Sequence, residues 1–534
     1  MCTKTENGIR SLCVGFAQKL REDFKMKVLF VFPNLDCGGY KPYGLTMLIN
    51  IARQAGHEVR LFDTSFYDTQ GLSENKRYKG LTEAGDELLD LKPVNLSEYN
   101  IVKNKKNVLL ELRKALQDFQ PQLVGFSVLS VEWLLVKKLL REVKSFNKGI
   151  YTVVGGVHAY ADPEGVIQDE NMDILCVGEG ELVILDLLEK IEKGKEYTNS
   201  HGFWIKKDGK IYKNIIGQVV WNLDKLPYGD YDLYDDRLIY RVYNGGVYRS
   251  SDYVLNRGCP SKCSYCLYEK MASYNRDNAK MRKYSIERSI KELIYLKERY
   301  HLNFNRFQDA SFLAVSEKYF LDYAKAYKSE AGDPFVVDAA PETLTINKIK
   351  ALAEMGCVSI SIGMEVGDEK RRRELCNKPV KNDTIIKAFD LANSCGLRTV
   401  SFLLIGFPHE TRKDYWDIIR MVRRAKVKSP CIGFVYPFKG SRLRELAVRD
   451  GLFDEDAEEK GMGYSRNYPA IYNPNISIEE YRGLIRTFYL YAKFPEKFWP
   501  DIKKAESLDE QGNLIFEKYA KIYREEQLYN RYYE

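Results

Sequence analysis

Arg257-Gly-Cys-Pro-Ser-Lys-Cys-Ser-Tyr-Cys-Leu267 decides how the rest of the chain is read. Cys259, Cys263 and Cys266 stand at C-x₃-C-x₂-C spacing on a short loop directly after the strand-like run Tyr253-Val-Leu255. Three thiolates so placed can hold three irons of a 4Fe–4S cube, whereas such clusters usually take four cysteines. The fourth iron is left to a ligand from outside the chain. With 11 cysteines in 534 residues, chance supplies roughly 0.005 triplets of this spacing. Structural zinc wants four ligands, and no further His or Cys lies close by in sequence.

Strand and helix patterns alternate from residue 250 onward. Strands are expected near 251–257, 304–310, 335–340, 358–364, 399–406 and 431–436, and helices at 285–299, 316–329, 345–355, 381–395 and 411–426. Six such units predict a partial (β/α)6 TIM-like barrel over 246–444. Its first strand runs into the cysteine loop, and ligands of such folds sit at the strand C-termini.

Upstream, Met26-Lys-Val-Leu-Phe-Val-Phe32 is a continuous apolar run followed by turn residues, the pattern of a buried parallel strand. Further strands at 58–62, 123–129, 151–156 and 173–178, with helices at 107–118 and 132–145, predict an α/β, doubly wound, Rossmann-like domain over 26–195. Residues 1–25 read as a helical extension. Residues 196–245 read as a connector with a hairpin at Lys206-Lys-Asp-Gly-Lys210. The Tyr-rich stretch 445–534 reads as mainly helical and placed to cap the barrel mouth.

The 82 basic and 75 acidic residues give a net charge of +7, near balance for this length, which makes no case for nucleic acid. No run approaches the ~20 apolar residues of a membrane span, and no signal peptide is read at the N-terminus. Cys2, Cys13, Cys37, Cys176, Cys357, Cys376, Cys395 and Cys431 are scattered, as in a reducing cytoplasm, so a cytoplasmic location is expected. Cys357, Cys376 and Cys395 lack the spacing of a second cluster.

The cysteine loop, with the aromatic Tyr265 before its last cysteine, resembles the cluster motif of the radical S-adenosylmethionine (SAM) enzymes. Val153-Val-Gly-Gly-Val-His-Ala-Tyr160 and Asp173-Ile-Leu-Cys-Val-Gly-Glu-Gly-Glu181 resemble parts of the cobalamin-binding domain fused to many of them. The likeness spans about residues 26–445. It implies a 4Fe–4S cluster on the three cysteines, SAM on the open iron, and a 5′-deoxyadenosyl radical after one-electron cleavage.

For SAM, the resemblance implies Tyr265 beside the adenine and Glu365, in Ile362-Gly-Met-Glu-Val-Gly367, on the ribose hydroxyls. It also implies backbone contacts to adenine near Gly406 and Pro408, in Leu404-Ile-Gly-Phe-Pro-His-Glu-Thr411. Asp309 is either an acceptor for the SAM ammonium or part of a strand-end turn. For cobalamin, it implies a crevice lined by Ser127, Ser130, Gly155, Gly156, Gly178, Glu179 and Gly180, with His158 in a structural or tail-contact role.

The cobalt-ligating motif D-x-H-x-x-G is replaced here by Asn34-Leu-Asp-Cys-Gly-Gly39, so no histidine ligand to cobalt is expected from that loop. Cys37 is read either as facing the corrin or as an ordinary turn residue. The implied activity is methyl transfer to an unactivated carbon through the deoxyadenosyl radical and methylcobalamin. A small-molecule or peptide substrate and a flavodoxin- or ferredoxin-type electron donor go with it; no catalytic side chain is assigned. The alternatives are a radical SAM cyclase, oxidase or coupling enzyme that makes no methyl-transfer use of cobalamin, and a non-catalytic iron–sulfur sensor.

Overall fold

A computed structural model describes residues 25–35, 41–69, 88–89, 92, 94–216, 219–458 and 463–532. The helical extension expected at 1–25 lies outside these residues except for Lys25, as do Asp36 to Gly39 with Cys37.

Seven strands form the first sheet: β1 (Lys27–Phe32), β2 (Glu58–Asp63), β3 (Leu123–Ser127), β4 (Tyr151–Gly155), β5 (Ile174–Cys176), β6 (Phe203–Lys207) and β7 (Lys210–Lys213). Their order is β2-β1-β3-β4-β5-β6-β7. The first five are parallel, and β6 and β7 add on antiparallel. The apolar run in β1 is explained by burial on both faces. Val28, Phe30 and Phe32 enter a core shared with the second sheet, while Leu29 and Val31 enter a separate core under the helices Val108–Phe119 and Trp133–Phe146. The hairpin assigned above to a connector instead extends this sheet, because β6 pairs with β5 through Ile174↔Ile205.

The second sheet holds β8 (Tyr240–Tyr243), β9 (Gly246–Tyr253), β12 (Phe304–Phe307), β13 (Phe335–Ala339), β14 (Cys357–Glu365), β15 (Arg398–Ile405) and β16 (Ser429–Phe434). Strands β9 and β12–β16 are parallel neighbours in chain order, and β8 lies antiparallel on the β9 edge. The sheet stops at β8 and β16, so the barrel is open. Between β9 and β12 a small ladder, β10 (Asn256–Arg257) with β11 (Arg282–Lys283), closes the base of the excursion that carries the cysteines.

The C-terminal helices Ile478–Lys493, Trp499–Lys504 and Glu510–Glu525 pack on the barrel's outer flank rather than over its mouth. Tyr415 of the helix Arg412–Arg424 donates to Leu484 O at 2.8 Å, and Trp416 meets Tyr491 with ring centroids 4.7 Å apart. Lys493 is buried and donates to the carbonyls of Val427 and Lys428 just before β16. The segment 463–473 lies nearer the mouth: Phe434 N donates to Arg466 O at 3.4 Å.

Candidate functional site

Strand β9 delivers the chain into the cysteine loop through Asn256, Arg257 and Gly258. Gly258 has φ +103°, and a Cβ there would stand 2.3 Å from Lys280 O. Only glycine fits this close approach. Beyond it, Ser264 N donates to Cys376 O, Cys266 N to Cys263 O, and Asn377 Nδ2 to Lys262 O at 2.6 Å. The loop is thereby fastened to the chain that follows β14.

Cys259, Cys263 and Cys266 are each half-buried and free of disulfides. Burial pushes the Cys263 thiol up to about 11. An all-sulfur set suits an iron–sulfur cluster. Among the described residues no three His, Cys, Asp or Glu side chains converge as a single metal ion would need. Beside the loop, both amide atoms of Asn256 are buried without a partner, and a cavity of about 580 Å³ opens between Pro260, Cys263, Glu342, Lys378 and Lys381.

Around the mouth the acidic residues differ sharply. Glu365 ends β14 at a register shift, is buried, and holds φ 65°. A left-handed residue other than glycine costs about 1–3 kcal/mol and persists only where its surroundings impose it. Here Lys378 imposes it: its Nζ lies 3.0 Å from Glu365 Oε1 and 2.9 Å from Gly363 O. Burial presses the ammonium toward neutrality, and the Glu365 charge outweighs that and holds it above its ordinary value.

Asp309 is turned inward, taking the N–H groups of Leu255 (3.2 Å) and Asn256 (2.7 Å), and burial raises its carboxyl to about 7. These bonds are those of the strand-end turn. Tyr265 packs edge-on against Phe407, centroids 6.5 Å apart, within an apolar cluster at the barrel rim. Gly406, at φ +81°, leaves room for the Phe434 ring, which a Cβ would meet at 2.8 Å. Pro408 O takes a hydrogen bond from Arg371 at 3.4 Å. Glu410, unassigned from sequence, closes this turn by accepting from Gly406 N (2.6 Å) and Tyr481 Oη (2.8 Å).

At the C-terminal edge of the first sheet, Gly156 (φ +93°) lies so close to the β3 loop that a Cβ would fall 2.6 Å from Val128 N. Ser127 pairs with Gly155 across β3 and β4, and Gly178 continues from β5 at φ +141°. At Gly180 a Cβ would come within 3.2 Å of Leu48. His158 Nδ1 is 3.1 Å from Ser130 Oγ, and its ring lies against Trp133 at 5.1 Å. Burial holds it down to about 4, so it is neutral. Its Nε2 and the nearby Tyr160 Oη are buried without partners. Backbone cradle and orphaned polar atoms fit a large polar ligand such as a cobalamin tail.

Glu179, read in the sequence as a cobalamin contact, is bonded into a joint between the two sheets. Its carboxylate takes both Arg282 nitrogens at 2.8 Å and the N–H of Val220 at 2.7 Å, with Arg257 at 3.5 Å. Glu181 holds Arg257 at 2.7 Å. Arg257 and Arg282 face each other across the β10–β11 ladder. The crevice loop after β5 and the base of the cysteine loop are therefore one bonded joint. The partners stand 76 and 103 residues apart, a distance at which sequence spacing carries no signal.

The family profile of the radical SAM superfamily matches residues 253–422, and that of the B12 binding domain matches residues 97–188. The chain is 26% identical over 344 residues to an uncharacterized methyltransferase of Pyrococcus horikoshii, covering 64% of this chain and 72% of that one. It is 21% identical over 474 residues to the cytidylyl-2-hydroxyethylphosphonate methyltransferase of Streptomyces wedmorensis, covering 81% and 83%. It shares its fold with the radical SAM methyltransferase TsrM of Kitasatospora setae, solved with cobalamin and a [4Fe-4S] cluster (TM-score 0.62, 13% identity, 94% and 100% covered). The cobalamin-dependent SAM radical enzyme OxsB is similar (TM-score 0.64, 15% identity, 94% and 71% covered). Both matched domains thus fall where the cysteine loop and the glycine-lined crevice lie: the chain carries a radical SAM domain and a B12-binding domain.

Proposed function

We propose that this enzyme transfers a methyl group to a carbon of a small substrate, using both cofactors at the joint between its two sheets. When bound, the cluster with SAM supplies a hydrogen-abstracting radical, and the cobalamin supplies the methyl group. Cys259, Cys263 and Cys266 would hold the cluster; Gly406, Pro408, Tyr265 and Glu365 would contact SAM. Ser127, Ser130, Gly155, Gly156, Gly178, Gly180 and His158 would hold the cobalamin.

The observation that carries this reading is the bonding of Glu179 and Glu181 to Arg257 and Arg282. It fixes the crevice loop against the residue two before Cys259, and proximity of two reacting groups is worth several kcal/mol of a barrier. The buried walls on either side also keep water from reactive carbon species. The two methyltransferase relatives support the reaction class. A small protein reductant is the expected electron source, and the reducing cytoplasm the expected setting.

The test uses the full chain reconstituted with iron, sulfide and hydroxocobalamin, then given dithionite and SAM tritiated in its methyl group. Retained corrin, label on that corrin and 5′-deoxyadenosine are the expected results. 5′-Deoxyadenosine with neither retained corrin nor label would overturn methyl transfer in favour of another radical reaction. Cys263→Ala should abolish 5′-deoxyadenosine; an unchanged yield removes the cluster assignment.

A further inference from the structure

The interior of the open barrel has a chemical character of its own. Side chains alternate between the two faces of a strand. Phe307, Val337, Ile362, Leu403 and Ile432 point into the core under the helices. Their neighbours Arg306, Val336, Ser361, Phe402 and Cys431 therefore point into the barrel. Strand β15 lies between β14 and β16, yet Phe402 is 38% exposed. Arg306 is likewise exposed on β12, between β9 and β13. With both strands flanked and their other face buried, that exposure is to an internal space.

This space has a floor and a mouth. At the N-terminal ends of the strands, Arg398 of β15 sets its guanidinium 5.8 Å from the Tyr243 ring of β8, and Tyr243 stacks on Phe304 at 5.6 Å. At the other end lies the cysteine loop. The lumen is a cup opening toward the place where the radical would form.

Its charges are unequally satisfied. Asp252, opposite Arg306 on β9, is taken by Arg241 at 2.6 Å, Lys41 at 3.3 Å and the Gln308 amide at 2.7 Å. Asp338 shares a hydrogen bond with Ser361. Arg466 lies along Gly433 with its guanidinium 3.2 Å from Cys431 Sγ. Arg306 makes no hydrogen bond or contact ion pair among the described residues, and its charge faces the Asp338 and Asp252 carboxylates, whose other bonds leave its guanidinium fork open. An arginine so placed offers a planar fork matched to carboxylate and phosphate oxygens, and Val400, Phe402 and Leu404 of β15, three strands along the same sheet, give the lumen an apolar wall.

We propose that the barrel lumen binds a small amphipathic anion, its phosphonate, phosphate or carboxylate on Arg306 and its apolar part against Phe402. Its role as substrate rests on the radical SAM reading above. An anion anchored on the inner wall leaves its apolar carbons as the part that faces the mouth.

Phenylphosphonate is the probe, titrated calorimetrically into the reconstituted full-length enzyme, with inorganic phosphate, benzoate and benzyl alcohol as comparators. Phenylphosphonate should bind at least tenfold more tightly than inorganic phosphate or benzyl alcohol, and benzoate shows whether a carboxylate serves as well. Arg306→Gln and Phe402→Ala should each weaken phenylphosphonate at least tenfold, and Arg306→Lys should keep part of the affinity; thermal melting checks that each variant is folded. Unchanged affinity in a folded Arg306→Gln protein overturns the proposal and moves the anion to the outer cavity at Lys262 and Lys381. Absence of saturable binding by a wild-type enzyme that still forms 5′-deoxyadenosine overturns it as well. Tight, Arg306-dependent binding without 5′-deoxyadenosine upholds the anion site while removing the radical reading.

Discussion

The two strand-end clefts are built from opposite materials. The crevice of the first sheet is made of backbone: Gly156 presses against Val128 and Gly155 lies against Cys176, and the polar atoms nearby, His158 Nε2 and Tyr160 Oη, are unsatisfied. The barrel mouth is made mainly of side chains already bonded, as in Glu365 with Lys378, Asp309 with the Asn256 N–H, and Glu410 with Gly406 N and Tyr481, the Asn256 side-chain amide being the exception. A crevice that must surround a large, flat ligand gains from close backbone and loses little from unpaired donors that the ligand will meet. A mouth that holds a cluster and a flexible cosubstrate needs its loops fixed beforehand, since preorganised groups do not reorganise during reaction.

That contrast is broken most severely at Gly258. Gly258→Ala places a methyl group 2.3 Å from Lys280 O on a backbone at φ +103°, so the whole excursion from Gly258 to Lys280 must shift. Iron content and cluster absorbance after reconstitution should fall to the level of Cys263→Ala, while hydroxocobalamin is still retained. Normal iron content would mean that the base of the loop is not what shapes the cluster site.

Next comes the joint between the clefts. Removing one partner of a buried ion pair costs about 3–5 kcal/mol, whereas replacing both by apolar groups is often close to neutral. Glu179→Gln should therefore split urea unfolding into two transitions, and the Glu179→Met/Arg282→Met pair should restore much of the loss. Burial alone would raise the Glu179 carboxyl, but its bonds to Arg282 and the charge of Arg257 outweigh this and lower it from 4.5. Its stabilising effect is thus present above pH 4.5 and lost as pH falls through the lowered value. A single unchanged transition in Glu179→Gln would show that the two sheets are held together elsewhere.

Glu410 titrates with the opposite sign. Burial raises it from 4.5 to about 7 despite the hydrogen bonds from Gly406 and Tyr481. The folded state thus keeps a proton that the unfolded chain gives up, and this stability is full below pH 4.5 and lost as pH rises through 7. At 1.36 kcal/mol per unit the loss is at most about 3 kcal/mol. Glu410→Gln keeps the acceptor for Gly406 and removes the titration, so its stability should fall less between pH 4.5 and 7.5 than that of the wild type. Identical slopes would place the proton elsewhere, Asp309 being the first candidate.

Most strands and helices were legible because burial writes itself into local periodicity, as in the unbroken apolar run of β1. The site was legible only where chemistry and spacing coincide, at the cysteine triad. Glu179 looked like a crevice residue because it sits between two crevice glycines; its arginine partners come from a ladder about a hundred residues downstream. Glu365 gives no sequence sign of its left-handed backbone, since that conformation is imposed by Lys378 from another loop. Strand 304–310 was read three residues too long, because Asp309 bends inward to hold the N–H groups of Leu255 and Asn256.

The smallest effect sharpens the contrast on the crevice side. Ser130 is the only hydrogen-bond partner of the His158 ring among the described residues, and the ring is neutral because burial holds it near 4. A neutral imidazole carries its proton on one nitrogen. The Ser130 hydroxyl can donate to Nδ1 or accept from it, so it holds the ring in place and leaves Nε2 free to meet a ligand in either role. Ser130→Ala removes that bond and leaves a second buried ring atom unpaired, at a cost of about 1 kcal/mol. If the crevice is completed by cobalamin, part of this cost moves into binding. Hydroxocobalamin affinity should then drop about fivefold, with iron content and 5′-deoxyadenosine formation unchanged. Affinity equal to the wild type, with only the melting temperature lowered, would make His158 a packing residue of the β4 loop and leave the crevice built from backbone alone.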